Sequence, residues 1–475
     1  MFVGDNIEIY GDGKGKSEIR NVSPMSGNFM KGPIFLFSTY GAVDRFGIFQ
    51  DGIDQYPIQN AQKNDQYVVL KDQSNGSKLL MGEIVILGAG KFLHAESANK
   101  GRFHYMELNE ISSISNGKVS FKYPLSIPLN SDNQNNSPVI ININNTSTKN
   151  GKLNIKNGSS KNIYIHDLTL SQAQTDELHN NAPIKQDEGD NENGLSGVWQ
   201  PGGAFASQFE NLEIDAYGGL EGNMFTRCNF NNLTVKATKK FFDFGYGSSN
   251  DTVHDITWQY VPSAVSNFAT GFIICNDGTH NILMYNINSS GDWNGEALIT
   301  MSQAKSINMH DMTFNFPNYN KPNMLIQIAD KEGVHSRDVS LDNIKVTVGS
   351  AGAFLRIVGD NDQESNRNIS VTNTSFKGNI SINDDQENFT AAKKPNNKNG
   401  GGGGKAKGGK GQALIVKNMD GLTLNNIEIS SGELYIENCN NSKIEKLIAP
   451  SSTLVVKKSN NAKISQVSVR NRIDD

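Results

Sequence analysis

The sequence predicts an all-β fold built as a solenoid of stacked strands, and three observations support this. One short phrase of alternating apolar and polar residues recurs along the second half of the 475-residue chain. The composition is rich in turn-forming residues, with 46 glycines and only 20% charged residues, which is typical of β-structure. Apolar residues at the helical spacing are scarce throughout the chain.

The recurring phrase is a short alternating strand that follows Asn, Gly, Ser or Asp. Examples are NLEIDA, NLTVKA, DITWQY, SINMHDM, DVSLDNI and GLTLNNI. The first apolar residue of each phrase serves as its marker: Leu212, Leu233, Ile256, Ile282, Ile307, Val339, Ile369, Leu422, Ile444 and Ile464. The markers are 20 to 32 residues apart, except for one gap of 53 residues that contains the glycine- and lysine-rich insert 385–412.

A unit of this length cannot bury its own apolar side, so successive units are expected to stack. Stacked parallel strands lie about 4.8 Å apart, which places equivalent side chains in columns. We therefore expect Asn ladders at the turns and one inward column that contains Ile256, Ile282, Ile307 and Val339. The insert is interpreted as a disordered Gly/Lys loop between two coils.

Charge, cysteines and hydropathy argue against several classes of protein. A net charge of −5 and a pI of about 6.0 give no basic footprint for nucleic acid. Cys228, Cys275 and Cys439 match no metal-site spacing, so they are expected to be small buried residues. No apolar run has the length of a membrane span, and no signal peptide is recognised.

The opening segment GDGKGKS resembles a phosphate-binding loop but lacks its spacing. Counting back from Gly15-Lys16-Ser17 places Tyr10 where the first glycine must be. A second candidate, from Gly404 to Gly411, ends in glycine where a magnesium-binding hydroxyl is needed. Neither segment therefore predicts a nucleotide site.

The chain resembles the right-handed parallel β-helix proteins of the pectate-lyase-like superfamily. The resemblance covers nearly the whole chain and rests on three features: the repeat, the opening GDNIEIYGDGKGKSEI, and KLLMGEIVILGAG followed by HYMELNEISSISNGKVSFKYPL. It implies a single right-handed parallel β-helix with an irregular N-terminal portion. Relatives usually carry a capping helix upstream, so we expect this chain to be shortened or capped by another chain.

The resemblance also implies a function, since such proteins mostly bind or cleave polysaccharides as lyases, hydrolases or epimerases. Many are phage tailspikes, which are trimers. The expected function is therefore degradation of an acidic polysaccharide by a lyase or glycoside hydrolase. The alternative is a homotrimeric virion tailspike, adhesin or structural surface protein that binds glycan without cutting it. Either would act outside a cell or on a virion surface.

Candidate site residues follow from strand alternation, because the residue three positions after each marker faces outward. This offset predicts one polar column: Asp215, Lys236, Gln259, Tyr285, His310, Asp342 and Thr372. Within it Tyr285, His310 and Asp342 are the predicted catalytic group, with His310 as base and Asp342 holding its tautomer. Asp215, Lys236 and Gln259 are predicted to bind substrate. The alternative is an ordinary polar solenoid face.

An acid pair is the other catalytic candidate, since glycoside hydrolases need two carboxylates about 5–5.5 Å or about 6.5–9.5 Å apart. Asp243 with Glu296, or Asp292 with Glu296, would supply it, and Trp293 could stack on a sugar ring. The Asn-Thr-Asp, Asp-Asp, Gly-His-Gly and Arg-Ile-Lys motifs of the polygalacturonases are not in place, which argues against pectin hydrolysis.

The predicted organisation is an N-terminal rung and irregular β segment over 1–137, then β-helix repeats over 138–475. An acidic loop at 175–208 and the insert at 385–412 interrupt the repeats. The acidic loop could offer Asp187, Glu188, Asp190 and Glu192 to calcium, but their order matches no known calcium loop. No cofactor is therefore expected.

Overall fold

The structure, a computed structural model, describes residues 2–3, 5–21, 35–37, 54–94, 101–131, 137–143, 160–172, 199–200, 203–216, 220–237, 242–245, 247–261, 272–276, 278–293, 295, 297–329, 335–359, 367–380 and 411–474. Most of the acidic loop 175–208 and of the insert 385–412 lies outside these ranges, so the predictions made for both stay predictions. Glu296 also lies outside them.

The described part is almost entirely β-structure. A 3-10 helix spans Gln73–Lys78. The N-terminal strands are β1 (Phe2–Val3), β2 (Glu8–Tyr10), β3 (Glu18–Asn21), β4 (Phe35–Phe37), β5 (Gln55–Pro57), β6 (Tyr67–Val69), β7 (Ile84–His94), β8 (Gly101–Ser115), β9 (Lys118–Phe121), β10 (Val139–Asn142) and β11 (Ser160–Lys161).

The remaining strands follow in chain order. They are β12 (Tyr164–Gln172), β13 (Trp199–Gln200), β14 (Ala204–Phe205), β15 (Gln208–Ala216), β16 (Leu220–Asn223), β17 (Asn229–Ala237), β18 (Phe242–Gly245), β19 (Thr252–Tyr260), β20 (Ile273–Asn276), β21 (His280–Gly291), β22 (Ile299–Ser302), β23 (Lys305–Asn320), β24 (Met324–Ala329), β25 (Arg337–Ala351), β26 (Ala353–Val358), β27 (Ile369–Ile380), β28 (Gln412–Asp420), β29 (Leu422–Ile429), β30 (Glu433–Asn440), β31 (Lys443–Lys457) and β32 (Lys463–Asp474).

Parallel pairing of strands two apart in the sequence defines the fold. The longer strands pair in the series β15–β17–β19–β21–β23–β25–β27–β29–β31. The shorter strands pair from β16 to β30 in the same way. Together with β2, β3, β12 and β32 they form one sheet of 21 strands in the described part. The predicted right-handed parallel β-helix is confirmed.

A ladder of left-handed residues bends each longer strand. Positive φ angles of 49–58° recur at one aligned position on consecutive coils, at Asn or Asp, from Asn211 (51°) to Asn373 (49°). Asn and Asp tolerate this region better than other non-glycine residues. Their side chains also bond from coil to coil, as in Asn232 Nδ2 to Asn211 Oδ1 at 3.1 Å and Asn426 Nδ2 to Asn373 Oδ1 at 2.9 Å. The predicted Asn ladder is present.

The predicted inward column is correct in part. Ile282, Ile307 and Val339 are paired in register and buried, but Ile256 pairs with Ile287 instead of Ile282. The reason is that a coil has two left-handed turns five residues apart, at Asn281 and Asn286 in β21, and an inward apolar residue follows each. The same phrase therefore occurs twice per coil. The markers up to Ile256 follow the second left-handed turn of the coil, whereas Ile282 and the next markers follow the first.

A small antiparallel barrel precedes the main helix. Its six strands are ordered β5-β10-β7-β8-β9-β6. The two edge strands are joined by Gln59 N–H to Val69 O at 2.8 Å and Lys71 N–H to Pro57 O at 2.9 Å, which closes the sheet. Because β10 belongs to this barrel, the predicted boundary at residue 138 is too early: the antiparallel partners of β10 hold it there through Asn142.

Strands β2 and β3 belong to the β-helix, as the resemblance implied. Both β2 and β3 pair with β12 in parallel. The GDGKGKS loop between them lies over the Asn ladder, where Lys14 Nζ donates to Asn232 O at 2.7 Å. The glycines of the loop allow this contact, because Gly13 and Gly15 have positive φ angles of 125° and 72°, which other residues rarely adopt.

The barrel packs against the side of the β-helix. Buried apolar residues of β7, β8 and β10 form one cluster with Phe205 and Met224 of the helix. Lys161 Nζ also reaches the barrel, at 2.8 Å from both Glu110 Oε1 and Gly82 O. All three cysteines are buried and none of them forms a disulfide bond, and their burial was predicted. In the described part no helix has the length and apolar character needed to cross a membrane.

Candidate functional site

The predicted polar column is divided between two columns on either side of the left-handed bend. Tyr285, His310, Asp342 and Thr372 are consecutive partners in one column. Asp215, Lys236 and Gln259 are consecutive partners in the other, and Ser290 follows them there. The division occurs at the register change described above, so each predicted group is kept together but the two groups are separated by the bend.

The column of Tyr285 continues toward the N-terminus through residues that the sequence interpretation missed. It runs as one register of outward side chains across twelve strands: Tyr10, His166, Glu210, Asn231, His254, Tyr285, His310, Asp342, Thr372, Asn425, Glu445 and Ser465. We call its three central consecutive positions, His254, Tyr285 and His310, the ring ladder.

The ring ladder is a continuous stack of three nearly parallel rings. The ring centroids of His254 and Tyr285 are 4.8 Å apart with an interplanar angle of 6°, and those of Tyr285 and His310 are 5.1 Å apart with an angle of 4°. Since the rings cover each other's faces, they offer their polar edges to solvent. The surface is therefore suited to hydrogen bonding rather than to stacking against an apolar ligand face.

An aspartate fixes the tautomer of each ladder histidine. The Nδ1 atoms of His254 and His310 lie 2.7 Å from Asp255 Oδ2 and Asp311 Oδ2. A carboxylate only accepts, so Nδ1 carries the hydrogen and the neutral ring keeps its lone pair on Nε2. Within the described residues neither Nε2 atom has a partner. Both side chains are partly exposed, 16% for His254 and 31% for His310, so each can act as a base.

These aspartates are held in place by the left-handed ladder. Asp311 Oδ1 accepts from Asn343 Nδ2 at 2.6 Å, and Asp255 Oδ1 accepts from Asn286 Nδ2. Hydrogen bonds from Asn343 and His310 lower the pKa of Asp311, and bonds from His254 and Asn286 lower that of Asp255. Both carboxyl groups are therefore ionised at neutral pH, as the tautomer assignment requires.

A third dyad has the same geometry but a blocked histidine. His166 Nδ1 lies 2.7 Å from Asp167 Oδ2, while its Nε2 lies 3.1 Å from Glu8 Oε1 of β2. Burial lowers the pKa of His166, but the bonds to Asp167 and Glu8 outweigh it and the net shift is upward. This histidine therefore fastens the N-terminal strand, and its Nε2 cannot serve a substrate.

The N-terminal strand is expected to loosen as the pH rises. The pKa of His166 is raised above its unfolded value of about 6.5, so its stabilising effect is complete below that pH and is lost as the pH passes the raised pKa. Hydrogen exchange of residues 5–11 between pH 5 and 9 measures this. His166→Asn should give protection with little pH dependence, and equal pH profiles for the variant and the parent would contradict the assignment.

Asp342 lies in the predicted column but makes other contacts. Its Oδ1 accepts from Thr372 Oγ1 at 2.5 Å and from Asn373 Nδ2 at 2.8 Å. The tautomer of His310, which we expected Asp342 to hold, is held by Asp311. The sequence signal for this is the dipeptide His-Asp, which occurs at 166–167, 254–255 and 310–311, each time with the histidine in the column and the aspartate at the left-handed position.

The second column carries the predicted substrate-binding residues. Asp215, Lys236 and Gln259 succeed one another on β15, β17 and β19. Lys236 Nζ is 3.9 Å from Glu213 Oε1, and both side chains are partly exposed. A cation is therefore available across the bend, on the strand next to that of His254 and three strands from that of His310.

The acid pair is only partly described. The backbone of Asp243 lies in β18, but its side chain, like Glu296, is outside the described residues. Asp292 Oδ1 accepts from Asn318 Nδ2 at 2.8 Å.

Trp293 is 2% exposed and packs in the core against Tyr260 and Phe272. The expectation that it stacks on a sugar ring is therefore wrong, because its side chain points inward.

No metal centre can be assigned in the described residues, because nowhere do three or more His, Cys, Asp or Glu side chains come together as metal ligands would. The four acidic residues considered for calcium, Asp187, Glu188, Asp190 and Glu192, lie outside the described ranges. The groups in the described residues that could bind or react with a ligand are the ring ladder and the column that contains Lys236.

Comparison with known proteins finds neither a matching family model nor a matching curated protein. Several solved structures are similar. The Pseudomonas phage phi297 tailspike gp61 is 10% identical, with a TM-score of 0.40, over 96% of this chain and 68% of that one. The tailspike gp49 of Pseudomonas phage LKA1 is 10% identical, with a TM-score of 0.38, over 99% and 74%.

The Gp54 tailspike of Acinetobacter baumannii bacteriophage AP22, solved with a capsular saccharide, is 11% identical, with a TM-score of 0.29, over 100% of this chain and 70% of that one. At these TM-scores the assignment of the fold rests on the strand pairing described above.

Proposed function

We propose that the protein binds a polysaccharide along its outward polar columns and degrades it by proton transfer at the ring ladder. The observation that carries the proposal is the pair of histidines, His254 and His310, that flank Tyr285. An aspartate bonds to the Nδ1 atom of each, and neither Nε2 atom has a partner among the described residues. The blocked dyad at His166 serves as an internal contrast.

The chemistry that this arrangement supports best is β-elimination on an acidic polysaccharide. His310 Nε2 would remove the proton next to the sugar carboxylate, the electron pair would form the C4–C5 double bond, and the C4–O4 bond would break. The Tyr285 hydroxyl, one strand away, would donate a proton to the leaving oxygen. Lys236 lies on β17, three strands from the strand β23 that carries His310, so it would bind a carboxylate on another sugar of the same polymer.

Hydrolysis is supported less well by the described residues. A hydrolase needs two available carboxylates, but Asp255 and Asp311 are bonded to histidines and Asp342 is bonded to Thr372 and Asn373. The alternative acid pair, Asp243 with Glu296, is the arrangement that would restore hydrolysis.

Incubation with a panel of acidic and neutral polysaccharides tests the proposal. A lyase product carries an unsaturated uronate, which absorbs in the ultraviolet, whereas a hydrolase product shows new reducing ends without that absorbance. We expect absorbance with at least one acidic polysaccharide and none with neutral ones. Reducing ends without absorbance would shift the proposal to hydrolysis, and the absence of both would overturn degradation.

A second function, glycan binding without cleavage, is favoured by the length of the outward column. Twelve consecutive positions are far more than one reaction centre needs, and they suit a bound polymer. A virion tailspike or surface adhesin, acting as a homotrimer, would use the column in this way. Glycan-array binding by a trimer that releases no product would support it, while a monomer that releases product would favour the enzyme.

A further inference from the structure

Three buried polar side chains meet where the barrel packs on the β-helix. Glu107 in β8 is 2% exposed, Ser126 in the barrel is 7% exposed, and His280 in β21 is 0% exposed. Ser126 Oγ contacts Glu107 Oε2 on one side and lies 3.0 Å from His280 Nε2 on the other. His280 Nδ1 is 2.9 Å from Gly278 O. We call these three side chains the clasp.

The hydrogen bonds of the clasp require an extra proton. Gly278 O only accepts, so His280 Nδ1 must carry a hydrogen. Ser126 has a single hydroxyl hydrogen but contacts two groups that would both accept it if Glu107 were ionised and His280 neutral. Both contacts become hydrogen bonds only when either His280 carries a second proton or Glu107 is protonated. These two protonation states of the clasp contain the same number of protons.

We propose that the clasp is a proton-dependent attachment of the barrel to the β-helix. When the two parts separate, a free histidine is neutral above about pH 6.5 and a free glutamate is ionised above about pH 4.3. Above about pH 6.5 the separated side chains therefore hold one proton fewer than the clasp, so docking takes up a proton and weakens as the pH rises. Below about pH 4.3 the separated glutamate binds a proton, and docking weakens again.

Burial makes the clasp structural rather than catalytic. Its Ser, His and Glu resemble a nucleophilic triad in composition, but all three are closed off from solvent between the barrel and the β-helix. An unmet hydrogen bond in such a place destabilises the interface, because no water can replace the lost partner. Loss of the shared proton is therefore expected to open this interface first.

Other ionisable groups of the β-helix, among them Arg227 and Asp251, face this region, and the charge of Arg227 acts on Glu107. Arg227 Nη2 donates to Pro124 O at 3.1 Å, and its guanidinium lies 4.4 Å from the centroid of the Tyr123 ring. Burial raises the pKa of Asp251 well above its usual range, and its Oδ1 accepts from Cys228 N–H at 2.8 Å. Arg227 keeps its charge at all relevant pH values, but Asp251 can titrate, so the test must separate it from the clasp.

Hydrogen exchange of the full chain between pH 6 and 9, expressed as protection factors, tests the proposal. Amides 106–110 of β8 are expected to lose protection by about tenfold per pH unit above pH 7, as one released proton requires, relative to amides of β23 and β25. Glu107→Gln should abolish this slope while keeping the barrel docked, because its amide N–H can donate to Ser126 and leave the hydroxyl hydrogen for His280.

Two further variants make the outcome decisive. Asp251→Asn should keep the pH dependence of protection seen in the wild type. This test does not require that the barrel of Glu107→Gln stays docked. Lys161→Met removes a contact at the same interface without changing the proton count, so it should lower protection equally at pH 6 and pH 8. A flat wild-type profile, a slope that persists in Glu107→Gln, or a slope that disappears in Asp251→Asn would each overturn the proposal.

Discussion

Replacing His310 by Asn is expected to slow polysaccharide degradation by about 10²–10⁴-fold, the usual contribution of a general base. Asparagine cannot accept the substrate proton at neutral pH. The loss should fall on kcat, measured as the rate of unsaturated product at saturating substrate, because the stacked neighbour Tyr285 and the Lys236 column stay in place to bind the polymer.

The three His-Asp dyads provide matched controls for this experiment. His166→Asn removes a histidine of the same geometry whose Nε2 is already bonded to Glu8, so it should leave kcat at saturating substrate unchanged. Asp311→Asn should impair catalysis through the tautomer of His310 and alter the pH profile of kcat. Equal rates for His310→Asn and the parent would remove His310 from the mechanism, and His254 would become the candidate base.

Replacing Trp293 by Ala is expected to destabilise the β-helix by about 3–5 kcal/mol, the cost of truncating a buried tryptophan. Its ring packs edge-on against Tyr260 at 4.9 Å and Phe272 at 5.5 Å between ring centroids. The neighbouring Gly295 makes room for it, since a Cβ at this glycine would lie 2.1 Å from the Trp293 ring. Denaturant unfolding followed by far-ultraviolet circular dichroism measures the loss.

Trp293→Phe is the control for this variant. It keeps an aromatic ring in the core and removes an indole N–H that has no partner among the described residues, so its cost should be well below that of Ala. It should also degrade polysaccharide at the parent rate. A variant that is stable but fails to bind glycan would restore the sugar-stacking role that the buried position argues against.

The fold was predictable because repetition makes it a local property. Each coil carries its own turn residues and inward apolar residues, so a short phrase indicates the whole solenoid. The register was harder to predict, since Asn281 and Asn286 both begin an Asn–apolar phrase within one strand. Because of that ambiguity, the sequence predicted one column for Asp215, Lys236 and Tyr285, whereas the structure places Tyr285 in a different column.

The candidate site was predictable where its members share one offset within the phrase. Tyr285 and His310 were predicted as neighbours and lie stacked at 5.1 Å. Asp311 was missed because strand alternation predicts where residues point but not which of them adopts a left-handed conformation. A residue bent in this way presents its side chain to the preceding histidine, and the sequence contains this only as the dipeptide His-Asp.

By itself, the sequence determined that the chain stacks into a parallel β-helix, that its cysteines are buried, and that a histidine and a tyrosine share one outward column. Only the tertiary structure decided the register between coils, the closed barrel and the meeting of Glu107, Ser126 and His280. The physical reason is distance along the chain. Local periodicity sets which side of a strand is buried, whereas contacts between different coils, or between the barrel and the β-helix, depend on how complete surfaces pack.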